Sequence, residues 1–267
     1  MEMTTNASTT TVNQTFYVWI AAACAVIAFG GFAPTYWLQL PAGTFVGPPI
    51  LHLHAALFFA WTVLLLSQAT LAANGRFNHH RAWGLAGIAL ASAMVFVGIA
   101  AVINTLNTGL SEGYGDRSRA FAILPVSAIC LFAGFVVAAI ANIKRPEAHK
   151  RLMILATLSL LQAAMARIFF VIITGGGPGL RPGLGSPPPL AIGLVPSLIP
   201  ELLIVAGIIY DWRTRGRPHP TWLIGAAVIT TVVVIRGVVA DTPGAGRKNV
   251  RHGESQAGRF RDRPWLW

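Results

Sequence analysis

Residues 48–84 read PPILHLHAALFFAWTVLLLSQATLAANGRFNHHRAWG, and this stretch decides the fold. Two prolines open it, His52 and His54 follow, and an apolar run then leads to a polar turn rich in histidine and arginine. The apolar run is long enough to cross a bilayer, which takes about 20 residues. The stretch therefore predicts a transmembrane helix with two imidazoles near its start, at a depth where a polar group needs a partner.

The whole chain has the composition of a membrane protein. Of its 267 residues, 54% are hydrophobic and only 11% are charged, whereas a soluble domain carries about a quarter charged residues. Apolar runs of membrane-spanning length account for nearly all of the chain and leave no room for a second folded domain. We therefore predict an all-α bundle of seven transmembrane helices over residues 16–240, with a flexible N-terminal segment (1–15) and a disordered, basic C-terminal segment (241–267).

Short polar turns separate the seven predicted spans. Proline predicts a kink near the end of the first span, at Pro34, and interruptions of the sixth, at Pro196 and Pro200. The Gly- and Pro-rich residues 175–189 predict a loop. The predicted spans cover, in chain order, residues 16–40, 49–73, 83–106, 120–142, 152–174, 190–210 and 221–240.

The net charge of +11 is concentrated in the turns. The short turns on one side carry only Arg117, Arg119 and Arg181, whereas the other side carries three times as many basic residues. The positive-inside rule places that richer side, and the N-terminus with it, in the cytoplasm. The C-terminal segment would then lie outside with six basic residues, although the rule is weaker beyond the last span. The richer side holds Arg76, Arg81, Lys144, Arg145, Lys150, Arg151, Arg213, Arg215 and Arg217.

Five ionisable residues are predicted to share one layer in the outer half of the bundle and to line a ligand site. The helical rise of about 1.5 Å per residue places them at similar depth. Residues two positions apart on a helix are related by a rotation of about 200° about its axis, so His52 and His54 cannot face the same point. Arg167 and Glu201 are predicted to form a buried ion pair with one histidine beside it; a purely structural ion pair is the alternative. The five are His52, His54, Arg167, Glu201 and Arg236.

The residue types in this layer suggest a function. Arginine would hold an anion, and histidine and glutamate could exchange protons. The leading hypothesis is therefore binding or transport of a small anionic or proton-linked ligand. Two alternatives stay open: a haem-binding redox protein, and a structural or partner-binding membrane subunit. An enzyme is not favoured, and a hydrolase least of all, because no nucleophile has an adjacent base. A nucleic-acid partner is not expected, because no basic face with interleaved aromatics exists outside the spans.

Histidine and carboxylate residues also accumulate on the basic side. His80, His149 and His219 are the candidate metal ligands there, although no pair has zinc spacing within a helix and each falls in a different predicted turn. A bis-histidine haem needs histidines on two helices at matching depth. Only the second span carries histidine at depth, and a haem between His80 and His149 would lie very shallow. The expectation for these residues is solvated turns.

Four motifs carry a family resemblance: HLHAALFFAW, HHRAWG, AHKRLM and IYDWRTRGRPHP. In this combination the chain resembles a family of bacterial multipass inner-membrane proteins, over the second to the seventh spans. The resemblance implies a bacterial inner-membrane location and carries no activity with it. The histidine-rich start of the second span is also loosely similar to b-type membrane cytochromes, whose second deep histidine this chain lacks.

Overall fold

The computed structural model describes residues 3–175, 187 and 194–240. These residues form helices and no strand, and seven of the helical segments are long and apolar enough to cross a membrane. The predicted all-α bundle of seven spans is confirmed. The C-terminal segment 241–267 and most of the predicted loop 175–189 lie outside the described residues.

Eight α-helices and one π-helical turn make up the described chain. The membrane-length apolar part of the first helix begins at Thr15, although the helix itself starts at Met3, within the segment predicted to be flexible. The helices are α1 (Met3–Phe32), continued by the π-helical turn Ala33–Trp37, α2 (Pro49–Ala73), α3 (Phe77–Ser111), α4 (Gly115–Ala141), α5 (Pro146–Thr174), α6 (Leu194–Leu198), α7 (Glu201–Arg215) and α8 (Pro220–Ala240).

Prolines mark where helices begin and change. Pro34 lies in the π-helical turn, and Pro200 separates the short α6 from α7, as the sequence predicted. Pro146 occupies the first turn of α5, where its missing N–H costs nothing.

The helices α3 and α5 begin earlier than predicted, at Phe77 instead of residue 83 and at Pro146 instead of residue 152. The expectation that His80 and His149 lie in turns is therefore wrong, since both are in the first turns of helices. Hydropathy marks only the part of a helix inside the hydrocarbon, and these helices continue into the polar interface.

Five of the helices form a closed ring. Each of α1 to α4 packs on the next, and α5 packs back on α1, while α8 packs against α4, α5 and α7. At mid-depth the Trp61 side chain of α2 crosses the ring: its ring centroid lies 4.9 Å from that of Phe132 on α4, and its Nε1 donates a hydrogen bond to the hydroxyl of Thr157 on α5 (3.0 Å). The interior of the ring is therefore filled at its middle and can hold a ligand only towards its ends.

The outer surface of the bundle is apolar. Trp19, Leu85 and Phe96 are 70%, 72% and 77% exposed, on α1 and α3. A soluble protein does not expose so many large apolar side chains along whole helices. This surface matches the hydrocarbon of a bilayer.

Small residues bring the helices together. A Cβ atom added at Gly31 of α1 would lie 2.7 Å from the Cβ of Ala164 on α5, and one added at Gly207 of α7 would lie 2.6 Å from the ring of Trp222 on α8. Helices in membranes associate through such close approaches, because lipid offers no hydrophobic drive between them.

The two ends of the bundle differ in chemistry. The basic end is defined by the turns 74–76, 142–145 and 216–219, together with the helix turns that flank them. The opposite end contains the π-helical turn, the start of α2 and the ends of α3 and α5. Polar groups gather at both ends of the ring, on either side of its filled middle.

Candidate functional site

Four of the five predicted site residues fall into two groups, His54 with Arg167 and Glu201 with Arg236, and His52 belongs to neither. Arg167 and Glu201 do not pair, so this prediction is wrong. The carboxylate of Glu201 instead accepts a hydrogen bond from the hydroxyl of Thr230 on α8 (2.8 Å), and the Arg167 guanidinium donates to the Ala163 carbonyl of its own helix (2.9 Å). The group that contains Arg167 and the group that contains Glu201 lie against different faces of α5.

The geometry of α5 explains the separation. Gln162 and Arg167 are both on this helix, five residues apart, which corresponds to a rotation of about 140°. Gln162 faces α8, where its carbonyl accepts a hydrogen bond from Arg236 (2.8 Å). Arg167 faces the other way, into the ring. Depth alone, which the sequence provides, could not show this.

A cavity at the opposite end of the ring contains Arg167 and His54. Its volume is about 100 Å³. Four ring helices (α1, α2, α3 and α5) and the segment that joins α1 to α2 contribute to its wall, and much of that wall is polar. The residues around it are Phe32, Thr35, Tyr36, Phe45, Leu51, His54, Ala55, Asn104, Thr105, Thr108 and Arg167.

The charge of Arg167 has no carboxylate partner in the described part of the chain. Its guanidinium carbon lies 4.1 Å from the centroid of the Phe32 ring, and within the described ranges its guanidinium donates one hydrogen bond, to the Ala163 carbonyl. An ion at membrane depth is tolerated when it is paired or when it faces a wet cavity. Arg167 is thus a cation that faces a cavity and has donors to spare.

Two polar atoms on residues around the cavity are buried without a hydrogen-bond partner among the described residues. They are Nδ1 of His54 and the hydroxyl of Thr35. Buried polar groups in folded proteins are normally satisfied, and a cluster of exceptions calls for an occupant. The cavity therefore offers a cation, an imidazole nitrogen and a hydroxyl to one small polar guest.

His52 has a different environment from His54. Its side chain is exposed, and its Nδ1 lies 3.0 Å from the hydroxyl of Tyr36. The prediction that His52 and His54 face in different directions from α2 is therefore confirmed. His54 lines the cavity, and His52 lies outside it against Tyr36 and Phe45.

Glu201 and Arg236 belong to a second polar cluster, between α4, α5 and α8. Arg236 donates hydrogen bonds to Gln162 and to Ser127 (2.8 and 3.3 Å). Ser197 donates to the same Gln162 carbonyl (3.2 Å). The space between these groups is about 10 Å³, the size of a single water. This cluster joins helices and has no room for a larger ligand.

An ion network at the basic end was not expected from the sequence. Arg151 of α5 is paired with Asp211 of α7, and both side chains are buried. Arg151 also donates to Glu147 (2.7 Å), which in turn accepts from Lys150 (2.6 Å) and from Arg215. The expectation that the carboxylates on this side lie in solvated turns is wrong, since Asp211 is buried in α7 and Glu147 lies in the first turn of α5. One signal was available: an aspartate near the C-terminal end of a helix opposes the helix dipole and needs a cation.

His219 lies at the edge of this network. Its backbone N–H donates to Asp211 (3.1 Å), and its Nδ1 accepts the backbone N–H of Thr221 (3.2 Å), which caps the start of α8. Burial, then the charges of Arg151 and Arg215, lower the pKa of His219. Its imidazole is therefore neutral and occupied in holding the turn.

His80 and His149 lie side by side at the basic end. Their ring centroids are 6.4 Å apart, and the planes are inclined at 83°. Within the described ranges no group of three or more His, Cys, Asp or Glu side chains is arranged to hold a metal ion. His219 does not join the pair to make such a set.

Comparisons with protein-family models, with curated proteins and with solved structures each found no match to this chain. The function is therefore argued from the geometry of the cavities and clusters.

Proposed function

We propose that the protein binds a small anion in the cavity between His54 and Arg167, and that it takes up or carries that anion across a bacterial inner membrane. The observation that supports this is the guanidinium of Arg167, which faces a polar cavity and has no carboxylate partner among the described residues. An anion there would supply the missing charge and accept hydrogen bonds from the arginine. Such charge-assisted bonds are about twice as strong as neutral ones.

The cavity limits the size of the anion. On the measure by which about 10–15 Å³ holds one water, a volume of about 100 Å³ has room for about seven to ten non-hydrogen atoms. Formate, nitrate, bicarbonate and acetate meet this limit, whereas a nucleotide or a sugar phosphate exceeds it. His54 would donate a hydrogen bond through its unpartnered Nδ1, and Thr35 would donate through its hydroxyl.

The orientation is part of the proposal. The nine basic residues that the positive-inside rule places in the cytoplasm belong to the basic end, so the cavity would open towards the outer leaflet and the N-terminus would be cytoplasmic. Green fluorescent protein, which fluoresces only in the cytoplasm, tests this. A fusion after Arg145 should fluoresce and a fusion after Gly113 should not; the reverse pattern overturns the orientation.

Anion binding is tested on the purified full-length protein by titration calorimetry with formate, nitrate, bicarbonate and acetate. Arg167→Leu should abolish binding, because Arg167 is the one arginine or lysine among the described residues that line the cavity. Glu201→Gln is the matched control, since Glu201 belongs to the other cluster, and it should bind like the wild type. Normal binding by Arg167→Leu would overturn the proposal. Liposomes containing the protein then show whether the bound anion is also transported.

A further inference from the structure

His80 and His149 occupy equivalent positions on two helices. Each is the fourth residue of its helix, α3 from Phe77 and α5 from Pro146, and both helices start at the basic end. The two imidazoles therefore lie at matching depth, about 4.5 Å past the start of each helix. These helices are not neighbours in the ring, so the two side chains approach each other across its interior.

The same ring nitrogen is held in both histidines. Nδ1 of His149 lies 2.9 Å from the carbonyl of Ala139 on α4, and Nδ1 of His80 lies 3.3 Å from the carbonyl of Gln68 on α2. A carbonyl can only accept, so each Nδ1 carries the proton and each Nε2 carries the lone pair. This is the arrangement by which proteins orient a histidine that ligates a metal through Nε2.

Gln68 fixes the orientation of His80 further. Its side-chain amide donates to the backbone carbonyl of His80 (3.1 Å), while its backbone carbonyl accepts from the imidazole. Nε2 of His80 and Nε2 of His149 make no hydrogen bond in the described part of the chain. Both lone pairs are therefore available to a ligand.

The distance between the rings matches two imidazoles on opposite sides of one iron. A metal–nitrogen bond of about 2.0 Å on each side, plus about 1.1 Å from each nitrogen to its ring centre, gives about 6.2 Å between centroids. The observed separation is 6.4 Å. We propose that His80 and His149 are the axial ligands of a b-type haem at the basic end of the bundle.

The number of protein ligands favours haem over a bare metal ion. A bare transition-metal ion takes about four ligands, whereas haem brings four nitrogens of its own and needs only the two axial ones. No third histidine, cysteine or carboxylate joins the pair within the described ranges.

The charge around the two histidines also favours haem over a bare metal ion. Arg76 and Arg145 cap the starts of α3 and α5, and Arg81 follows His80 directly. These guanidinium groups would repel a bare dication but would pair with the two haem propionates. The haem site lies at the other end of the ring from the anion cavity, so neither proposal depends on the other.

The test is a spectrum of the full-length protein purified from cells supplied with a haem precursor. We expect one haem per chain by pyridine haemochrome, with the low-spin spectrum of a bis-histidine iron. His80→Ala and His149→Ala should each lose this spectrum, while His79→Ala, which changes the neighbouring exposed histidine, should keep it. Added imidazole should restore low-spin haem to His149→Gly, which separates loss of a ligand from loss of the fold.

The angle between the rings adds a second readout. Axial imidazoles inclined at 83° should give the strongly anisotropic low-spin electron paramagnetic resonance signal of crossed ligand planes. Absence of a Soret band, or a metal content of one zinc or copper per chain without porphyrin, overturns the proposal. An unchanged spectrum in both alanine variants overturns it equally, because the haem would then have other ligands.

Discussion

Arg151 of α5 and Asp211 of α7 form a buried ion pair with two hydrogen bonds. Nε of the arginine donates to Oδ2 of the aspartate at 2.9 Å, and Nη2 donates to Oδ1. The side chains are 1% and 0% exposed. The same aspartate accepts the backbone N–H of His219, so one carboxylate connects α5, α7 and the turn before α8. This pair closes the basic end of the bundle.

Removal of this carboxylate should destabilise the protein strongly. Asp211→Asn leaves the buried Arg151 beside a neutral amide, with the partly exposed Glu147 as its remaining carboxylate partner among the described residues, and breaking a buried pair costs about 3–5 kcal/mol. Thermal unfolding of the purified protein in detergent measures the loss. Asp116→Asn is the control, since it removes an exposed pair with Arg119, and such pairs contribute about 1 kcal/mol or less. Equal effects of the two substitutions would contradict the assignment.

The lowered pKa of His219 predicts a pH dependence of stability. Burial and the charges of Arg151 and Arg215 favour the neutral imidazole in the folded protein, against the attraction of Asp211 and Glu147. The contribution of the neutral imidazole to the free energy of unfolding is therefore complete above the unfolded-state pKa of about 6.5. It is lost as the pH falls through the lower folded-state pKa.

The wild type should therefore lose more stability between pH 7.5 and pH 5 than His219→Gln does, measured as the shift in unfolding midpoint. Other titrating groups are common to the two proteins, so the difference isolates His219. Parallel pH profiles would show that protonation of this imidazole does not oppose folding.

The two histidines of α2 should differ in anion binding. His54→Ala removes the unpartnered imidazole of the cavity, and loss of one hydrogen bond to a charged ligand, about 1.5–3 kcal/mol, weakens binding about tenfold or more. His52→Ala should change the dissociation constant by less than about twofold, because that side chain lies outside the cavity. Calorimetry with the tightest of the four anions distinguishes them. A larger loss in His52→Ala would place the site elsewhere.

A methyl group added at Gly207 should disturb the contact between α7 and α8. The new Cβ would lie 2.6 Å from the ring of Trp222, which is fully buried. Overpacking of this kind costs about 1–3 kcal/mol. At Gly30 of α1 an added Cβ meets no atom within 4 Å, so Gly30→Ala should be neutral or slightly stabilising, by at most about 1 kcal/mol. Unfolding midpoints of the two variants provide the comparison.

Part of the candidate site could be predicted from the sequence. Hydropathy and helical rise were enough to place His54, Arg167, Glu201 and Arg236 inside the membrane and to mark them as unusual. The predicted pairing of Arg167 with Glu201 failed because depth was used without rotation about α5. Rotation requires knowing which helices are neighbours, and the ring of α1 to α5 is a property of packing.

The approach of His80 and His149 at the basic end also could not be predicted from the sequence. Residues 77–82 and 146–151 are polar, so hydropathy assigned them to turns, yet α3 and α5 begin there. His80 and His149 lie in different spans, and nothing in the local sequence relates them. Their approach across the ring follows from helices that are not adjacent and that start at the same depth.

By itself the sequence determined that this is an all-α membrane protein with seven spans. Apolar runs of that length are too costly to expose to water, and backbone groups in lipid must form their hydrogen bonds within a helix. It also determined the changes of helix at Pro34 and Pro200, through the fixed backbone angle of proline, whereas Pro125 and Pro196 lie inside helices. Tertiary structure alone decided which polar groups meet: Arg151 with Asp211, Arg236 with Gln162, and Arg167 with a cavity instead of a carboxylate. Those contacts depend on the rotation and neighbours of each helix, which close packing sets and no single span encodes.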